Sequence, residues 1–138
     1  MQQSRMTALL ALSLAGVLFA GYLSAVKLFQ QTCAFNESCP YFLGYPTCYY
    51  GFAMFFALAA TLVLARFAAI AQKRALAIVL GISGLGIIFA GYFTIGEVPV
   101  LFLQGLSAFV LGLPTCAYGL LVYIAIFAIA LLARRPVV

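Results

Sequence analysis

The sequence predicts an all-α membrane fold: a four-transmembrane-helix bundle made of two parallel helical-hairpin repeats, with a short interfacial helix in the second outer loop. Three observations carry this expectation. Hydrophobic residues fill 67% of the 138 positions and charged residues only 7%, a balance outside that of soluble globular domains. Four stretches, roughly Met6–Leu28, Pro46–Ala65, Leu76–Ile95 and Pro114–Leu132, each supply the ~20 mainly apolar residues that a helix needs to cross hydrocarbon. Finally, the phrase PTCYYG at 46–51 returns as PTCAYG at 114–119.

The first stretch follows Arg5 and is too long, with flanks lacking a small-residue cleavage site, to read as a removed signal peptide. Gly16, Ala20 and Ser24 recur at every fourth position in it, a spacing that lets helix backbones approach closely in lipid. An outer loop over 29–45 then carries Cys33 and Cys39. The second helix opens at Pro46, and proline suits a first helical turn because its missing N–H has no partner there. A basic turn over 66–75 leads to the third helix, thinned by Gly81, Ser83, Gly84 and Gly86. Residues 98–112 are apolar and free of cysteine. Irregular backbone exposed to lipid leaves peptide groups unpaired, which predicts a short helix near Leu101–Phe109 lying at the membrane surface. The fourth helix opens at Pro114 and ends before Arg134 and Arg135.

The net charge of +5 does not point to nucleic acid, because Arg5, Arg66, Lys73, Arg74, Arg134 and Arg135 all fall at helix ends on one predicted side. This is the positive-inside pattern. It sets both termini and the 66–75 turn in the cytoplasm, in a bacterial inner membrane or its equivalent, and leaves residues 29–45 and 96–113 outside. The lipid bilayer is thus the first partner, and the chain reads as a single integral membrane domain over 1–138. All four cysteines, Cys33, Cys39, Cys48 and Cys116, then fall on the side where disulfides persist.

Aligned at an offset of 68, Phe42–Arg66 and Val110–Arg134 share 12 of 25 residues, among them Leu-Gly-x-Pro-Thr-Cys-x-Tyr-Gly. The preceding helices match at an offset of 70, Gly16–Tyr22 with Gly86–Tyr92. Repeat 1 spans about 6–70 and repeat 2 about 75–135. A unit with two spans leaves on the side it entered, so the copies are expected to be parallel and related by a pseudo-twofold axis along the membrane normal. Cys48 and Cys116 then occupy equivalent places near the axis at one depth. Lys27 and Glu97 are equivalent as well and opposite in charge.

Cys48 and Cys116 sit in the first turn of their helices, where unpaired N–H groups and the helix dipole favour a thiolate and activate it. Apolar burial acts in the opposite sense. Four cysteines permit three pairings. Cys48–Cys116 with Cys33–Cys39 keeps one bond in the bundle and one in the loop, while the others resemble exchange intermediates between loop and helix. Tyrosines concentrate toward the outer half, as interfacial anchoring expects. Tyr50 and Tyr118 are in addition candidate stacking partners for a flat ligand. No metal is expected, since the chain has no histidine and two sulfurs alone do not complete a site.

The pattern of Gly16-x-x-x-x-x-Tyr22, an outer loop with two cysteines, Gly44-x-Pro46-x-x-x-x-Gly51 and a fourth helix with a cysteine at its outer end resembles the vitamin K epoxide reductase and DsbB type of four-helix membrane oxidoreductase. The resemblance implies that Cys33 and Cys39 are a shuttle pair, receiving electrons from a thioredoxin-like partner or a substrate thiol outside. It also implies that Cys116 belongs to a second pair beside a membrane quinone. Leu113 stands where that family has the first cysteine of the fourth-helix pair, and Cys48 is the symmetric candidate for the missing sulfur. The function expected is therefore a thiol–disulfide relay from Cys33/Cys39 to Cys48/Cys116 and a quinone. The alternatives are a disulfide-stapled membrane protein without catalysis, or a small transporter or channel unit.

Overall fold

The computed structural model describes the backbone of residues 2–30, 41–42, 45–67, 69–104 and 115–134, and side chains within 3–25, 49–67, 69–96 and 118–134. It is all-helical apart from one minimal hairpin. Helix α1 spans Gln2–Gln30, α2 Thr47–Arg66, α3 Gln72–Gln104 and α4 Thr115–Arg134. Each predicted span is recovered within a few residues at its apolar centre. Three of the helices, over Gln3–Ala25, Tyr49–Arg66 and Gln72–Gly96, are long and apolar enough to cross a membrane. The fourth, α4, is shorter over its described side chains and equally apolar.

Two features depart from expectation. Strands β1, Tyr41–Phe42, and β2, Tyr45–Pro46, pair antiparallel directly before α2, Tyr41 opposite Pro46 and Phe42 opposite Tyr45. Pro46 therefore closes a strand, and the helix opens one residue later at Thr47. The proline still precedes the first turn, where an N–H is not needed. The second departure concerns the expected separate helix near Leu101–Phe109. Leu101–Gln104 continue α3, which runs unbroken past Pro99, and residues 105–109 lie outside the described residues. Proline inside a helix removes one i→i−4 bond, here the bond to the Ile95 carbonyl. Continuing the helix still satisfies the remaining peptide groups within one element, which explains why the chain extends α3 rather than starting a new helix.

The helices alternate long and short, 29, 20, 33 and 20 residues. At 1.5 Å per residue the short ones span about 30 Å and the long ones about 43 and 50 Å. Each helix packs on two neighbours: α1 against α2 and α4, and α3 against α4 and α2. The core along the middle contains Leu9, Leu58, Leu62, Val79, Ile126 and Ala130, all almost wholly buried. On α1 the buried positions are 9, 13, 16 and 20, and on α3 they are 75, 76, 79, 83, 86 and 90. On α2 the series includes 55, 58 and 62, and on α4 it includes 123, 126 and 130. Large apolar side chains face outward from every helix, among them Leu18, Phe56, Ile88 and Leu121, a surface compatible with apolar surroundings.

The hydroxyls of Ser13, Thr61, Ser83 and Thr94 are satisfied within their own helices. Ser13 and Ser83 are fully buried, and their hydroxyls donate to the carbonyls of Leu9 and Val79 at 2.8 and 2.6 Å. Thr61 and Thr94 donate likewise to Ala57 and Ala90 at 2.8 and 2.7 Å. The basic end is closed by a turn after α2, where the Ala69 N–H donates to the Leu64 carbonyl at 2.9 Å, the six-to-one bond typical of a helix C-cap. At the same end Arg5 Nη1 donates to the Leu132 carbonyl at 2.7 Å, tying the start of α1 to the last turn of α4.

Candidate functional site

The site expected from the sequence lies at the end of the bundle where α2 and α4 begin. Cys48 and Cys116 are each the second residue of their helices, so the backbone places both in a first turn; their side chains lie outside the described set. Cys33 and Cys39 fall wholly outside the described residues. Two turns into the bundle from the cysteines, the structure is fully described. Seven residues is close to two turns of helix, so Phe55 shares a face of α2 with position 48, and Tyr123 shares a face of α4 with position 116.

Those two faces meet. The rings of Phe55 and Tyr123 stack with centroids 4.4 Å apart and planes 5° from parallel, at 3% and 2% exposure. Each ring rests on a glycine of the helix paired with its own: a Cβ built at Gly16 would fall under 3.0 Å from the Phe55 ring, and one built at Gly86 equally close to the Tyr123 ring. The order across the bundle is glycine, ring, ring, glycine, running α1, α2, α4, α3. Stacking of two flat rings gives stabilisation beyond the area buried, and the glycines admit it because no side chain intervenes. The Tyr123 hydroxyl donates toward the Gly51 carbonyl at 3.4 Å, a long bond that reaches from α4 into the first turns of α2, three residues past Cys48.

Nearer the cysteines, aromatic contacts bridge the other helix pairs. Tyr50 of α2 lies against Phe89 of α3, with centroids 5.7 Å apart and planes at 50°. Tyr118 of α4 lies against Phe19 of α1 at 6.5 Å, edge to face. Phe89 also meets Phe93 at 5.0 Å, and Phe93 meets Tyr92 at 5.2 Å. Tyr50 and Tyr118, singled out in the sequence as stacking candidates, are therefore half-buried between helices, each with one aromatic neighbour already in place. The antiparallel registers set by Gly16 with Phe55 and by Gly86 with Tyr123 put Cys48 level with about Leu23 and Cys116 level with about Phe93. Lys27 and Glu97 then lie about one turn beyond, in the stretches of α1 and α3 that overhang the short helices.

Sequence reasoning did not single out Phe55 and Tyr123. The signal was present, because the offset of 68 that aligns the two cysteines also aligns these rings, but an identity match passes over a phenylalanine against a tyrosine. Compared with known families, curated proteins and solved structures, the chain matches no family model, no curated protein and no solved structure.

Proposed function

We propose that this chain is an integral membrane thiol–disulfide oxidoreductase built as two parallel helical hairpins, with Cys48 and Cys116 as the buried redox pair and Cys33 and Cys39 as the pair that meets its outer substrate. The observation that carries it is the Phe55–Tyr123 stack. Helices α2 and α4 touch through those rings, and the cysteine positions lie on the same two faces, about 10 Å nearer the bundle end at 1.5 Å per residue. The proposal needs these two positions within the Cα separation of about 7 Å that a bridge spans.

Support for two repeats comes from paired environments. Equivalent positions bury equivalent groups: Ser13 and Ser83, each bonded to the carbonyl four residues back, Gly16 and Gly86, each beneath a ring, and Leu58 and Ile126, each at 0% exposure. Tyr50 on Phe89 and Tyr118 on Phe19 are one contact written twice. A pseudo-twofold axis passing between the Phe55 and Tyr123 rings relates all of these. Membrane insertion is supported by the apolar outer surface and the helix lengths, and the clustering of Arg66, Lys73, Arg74 and Arg134 at one end favours that end as cytoplasmic.

In the relay, a thioredoxin-like partner or substrate dithiol attacks the Cys33–Cys39 disulfide. The partner becomes a disulfide, and the loop pair is left as two thiols. One of these, as thiolate, attacks the Cys48–Cys116 bond through a mixed disulfide, and the second loop thiol resolves it, so two electrons and two protons pass to the bundle pair. A membrane quinone, as oxidising substrate, takes those two electrons and two protons and leaves as quinol. The aromatic faces of Tyr50 and Tyr118 beside the cysteine turns suit a flat ring. Transport through the centre is disfavoured, since the stacked Phe55 and Tyr123 rings occupy it and the buried Ser13 and Ser83 hydroxyls bond within their own helices.

Replacing Cys48 with serine tests the relay. A partner-linked or loop-linked mixed disulfide through Cys116, Cys33 or Cys39 should accumulate on addition of a dithiol substrate and be absent from the wild-type chain. A Cys48→Ser protein that gives only free thiols, with unchanged electron delivery to quinone, overturns the proposed role of Cys48.

A further inference from the structure

The basic end of the bundle is concave as well as charged. Two adjoining clefts of about 370 and 380 Å³ open between the start of α3 and the end of α4, and Lys73 and Arg134 line both. Gln72 lines one cleft, and Arg74 and Ala77 line the other. All three cations are exposed. The chain's only carboxylate side chains are Glu37 and Glu97. Glu97 is about 36 Å farther along α3 at 1.5 Å per residue, too far to neutralise this end, and Glu37 lies outside the described residues. Lys73 and Arg74 also stand in the first turn of α3, which has no acidic residue, where the helix dipole disfavours positive charge. The positive-inside tendency accounts for the sign of this end. It does not account for a cleft shared by two helices with cations on both walls.

We propose that these clefts bind the phosphate headgroup of an anionic membrane lipid, held between Lys73 and Arg134, with Gln72 and Arg74 as further donors. Basic pockets between helices on the cytoplasmic side are suited to such headgroups. The surface leading away from the clefts favours a lipid over a free anion. Ala77 and Gly81 follow one another at i and i+4 on α3, both exposed, and a Cβ at Gly81 would meet nothing within 4 Å. This leaves a shallow apolar track toward Leu85 and Ile88, which are 59% and 71% exposed, along which an acyl chain can lie. The proposal needs the bundle to sit in a membrane but not the cysteine chemistry.

The test is native mass spectrometry of the purified full chain in detergent with added phosphatidylglycerol, phosphatidylcholine or inorganic phosphate, after carbonate extraction of cell membranes has checked insertion separately. Phosphatidylglycerol should be retained at least about tenfold more tightly than phosphatidylcholine. Lys73→Gln and Arg134→Gln should each weaken retention about fivefold, Lys73→Arg and Arg134→Lys should preserve it, and Arg66→Gln, which removes a charge from the same end outside both clefts, should leave it unchanged. Equal retention of the two lipids, or an equal loss on Arg66→Gln, overturns the site. Inorganic phosphate displacing phosphatidylglycerol at equimolar concentration overturns the lipid and assigns the cleft to a soluble anion. If the glutamine variants do not fold, the charge-preserving pair and the Arg66→Gln control still decide, because loss of lipid preference in Lys73→Arg and Arg134→Lys, or in Arg66→Gln, contradicts the proposal.

Discussion

Phe55 and Tyr123 face one another across the bundle, 4.4 Å apart and within 5° of parallel, although their helices α2 and α4 are not consecutive and each packs mainly on another partner. The contact makes a common centre for two hairpins. Helices α1 and α3 each pack on both α2 and α4, and the stacked rings add a direct contact between those two at the centre.

Truncating either ring should therefore loosen the whole bundle. Phe55→Ala and Tyr123→Ala are each expected to cost about 3–5 kcal/mol, the range for large aromatic truncations in a core, measured as reversible unfolding in mixed detergent micelles. Tyr123→Phe keeps the stack and loses only a long hydroxyl contact, so it should cost about 1 kcal/mol or less. A Tyr123→Phe loss as large as that of Tyr123→Ala would mean that the hydroxyl, and not the ring, organises the centre.

The glycines under the rings should resist even a methyl group. Gly16→Ala and Gly86→Ala each place a Cβ under 3.0 Å from a stacked ring that is itself pinned from the other side, so neither ring can yield, and overpacking of about 1–3 kcal/mol is expected. Gly81→Ala is the control. Its Cβ meets nothing within 4 Å, and alanine's better helix propensity should leave the protein unchanged or up to about 1 kcal/mol more stable. Unfolding of the three variants under one set of conditions ranks them directly.

Among the described residues, Ser13 and Ser83 are the fully buried serines of the core. Because each hydroxyl bonds a carbonyl of its own helix, Ser13→Ala and Ser83→Ala should shift stability by about 1 kcal/mol or less and leave proteoliposomes as impermeable to ions as the wild type. A flux that depends on either serine would revive a transport role.

Helix number and position were legible in the sequence because hydropathy marks what lipid tolerates. The apolar centres of Met6–Leu28 and Leu76–Ile95 lie well inside α1 and α3. The ends were less legible. Pro99 reads as a break, yet α3 passes through it to Gln104, since a single lost hydrogen bond costs less than ending a helix amid apolar residues. The pairing of Tyr41–Phe42 with Tyr45–Pro46 left no alternation signal, being two residues on each side. The Phe55–Tyr123 contact was hidden for another reason. In lipid every helix face is apolar, so composition does not mark which face meets which neighbour, and only shape, here a glycine beneath each ring, decides it. The usable clue was the offset of 68 that aligns Phe55 with Tyr123 in the sequence. Cys33, Cys39 and positions 105–109 of the expected surface helix lie outside the described residues.

The most direct measurement is the pairing of the four sulfurs in the purified, oxidised protein, mapped by differential alkylation and peptide mass spectrometry. One peptide pair joined through Cys48 and Cys116 and another through Cys33 and Cys39 is the predicted result, with the first bond reducible by a dithiol and re-formed on adding a quinone. Cys48 and Cys116 both alkylated as free thiols in the oxidised protein would contradict the account.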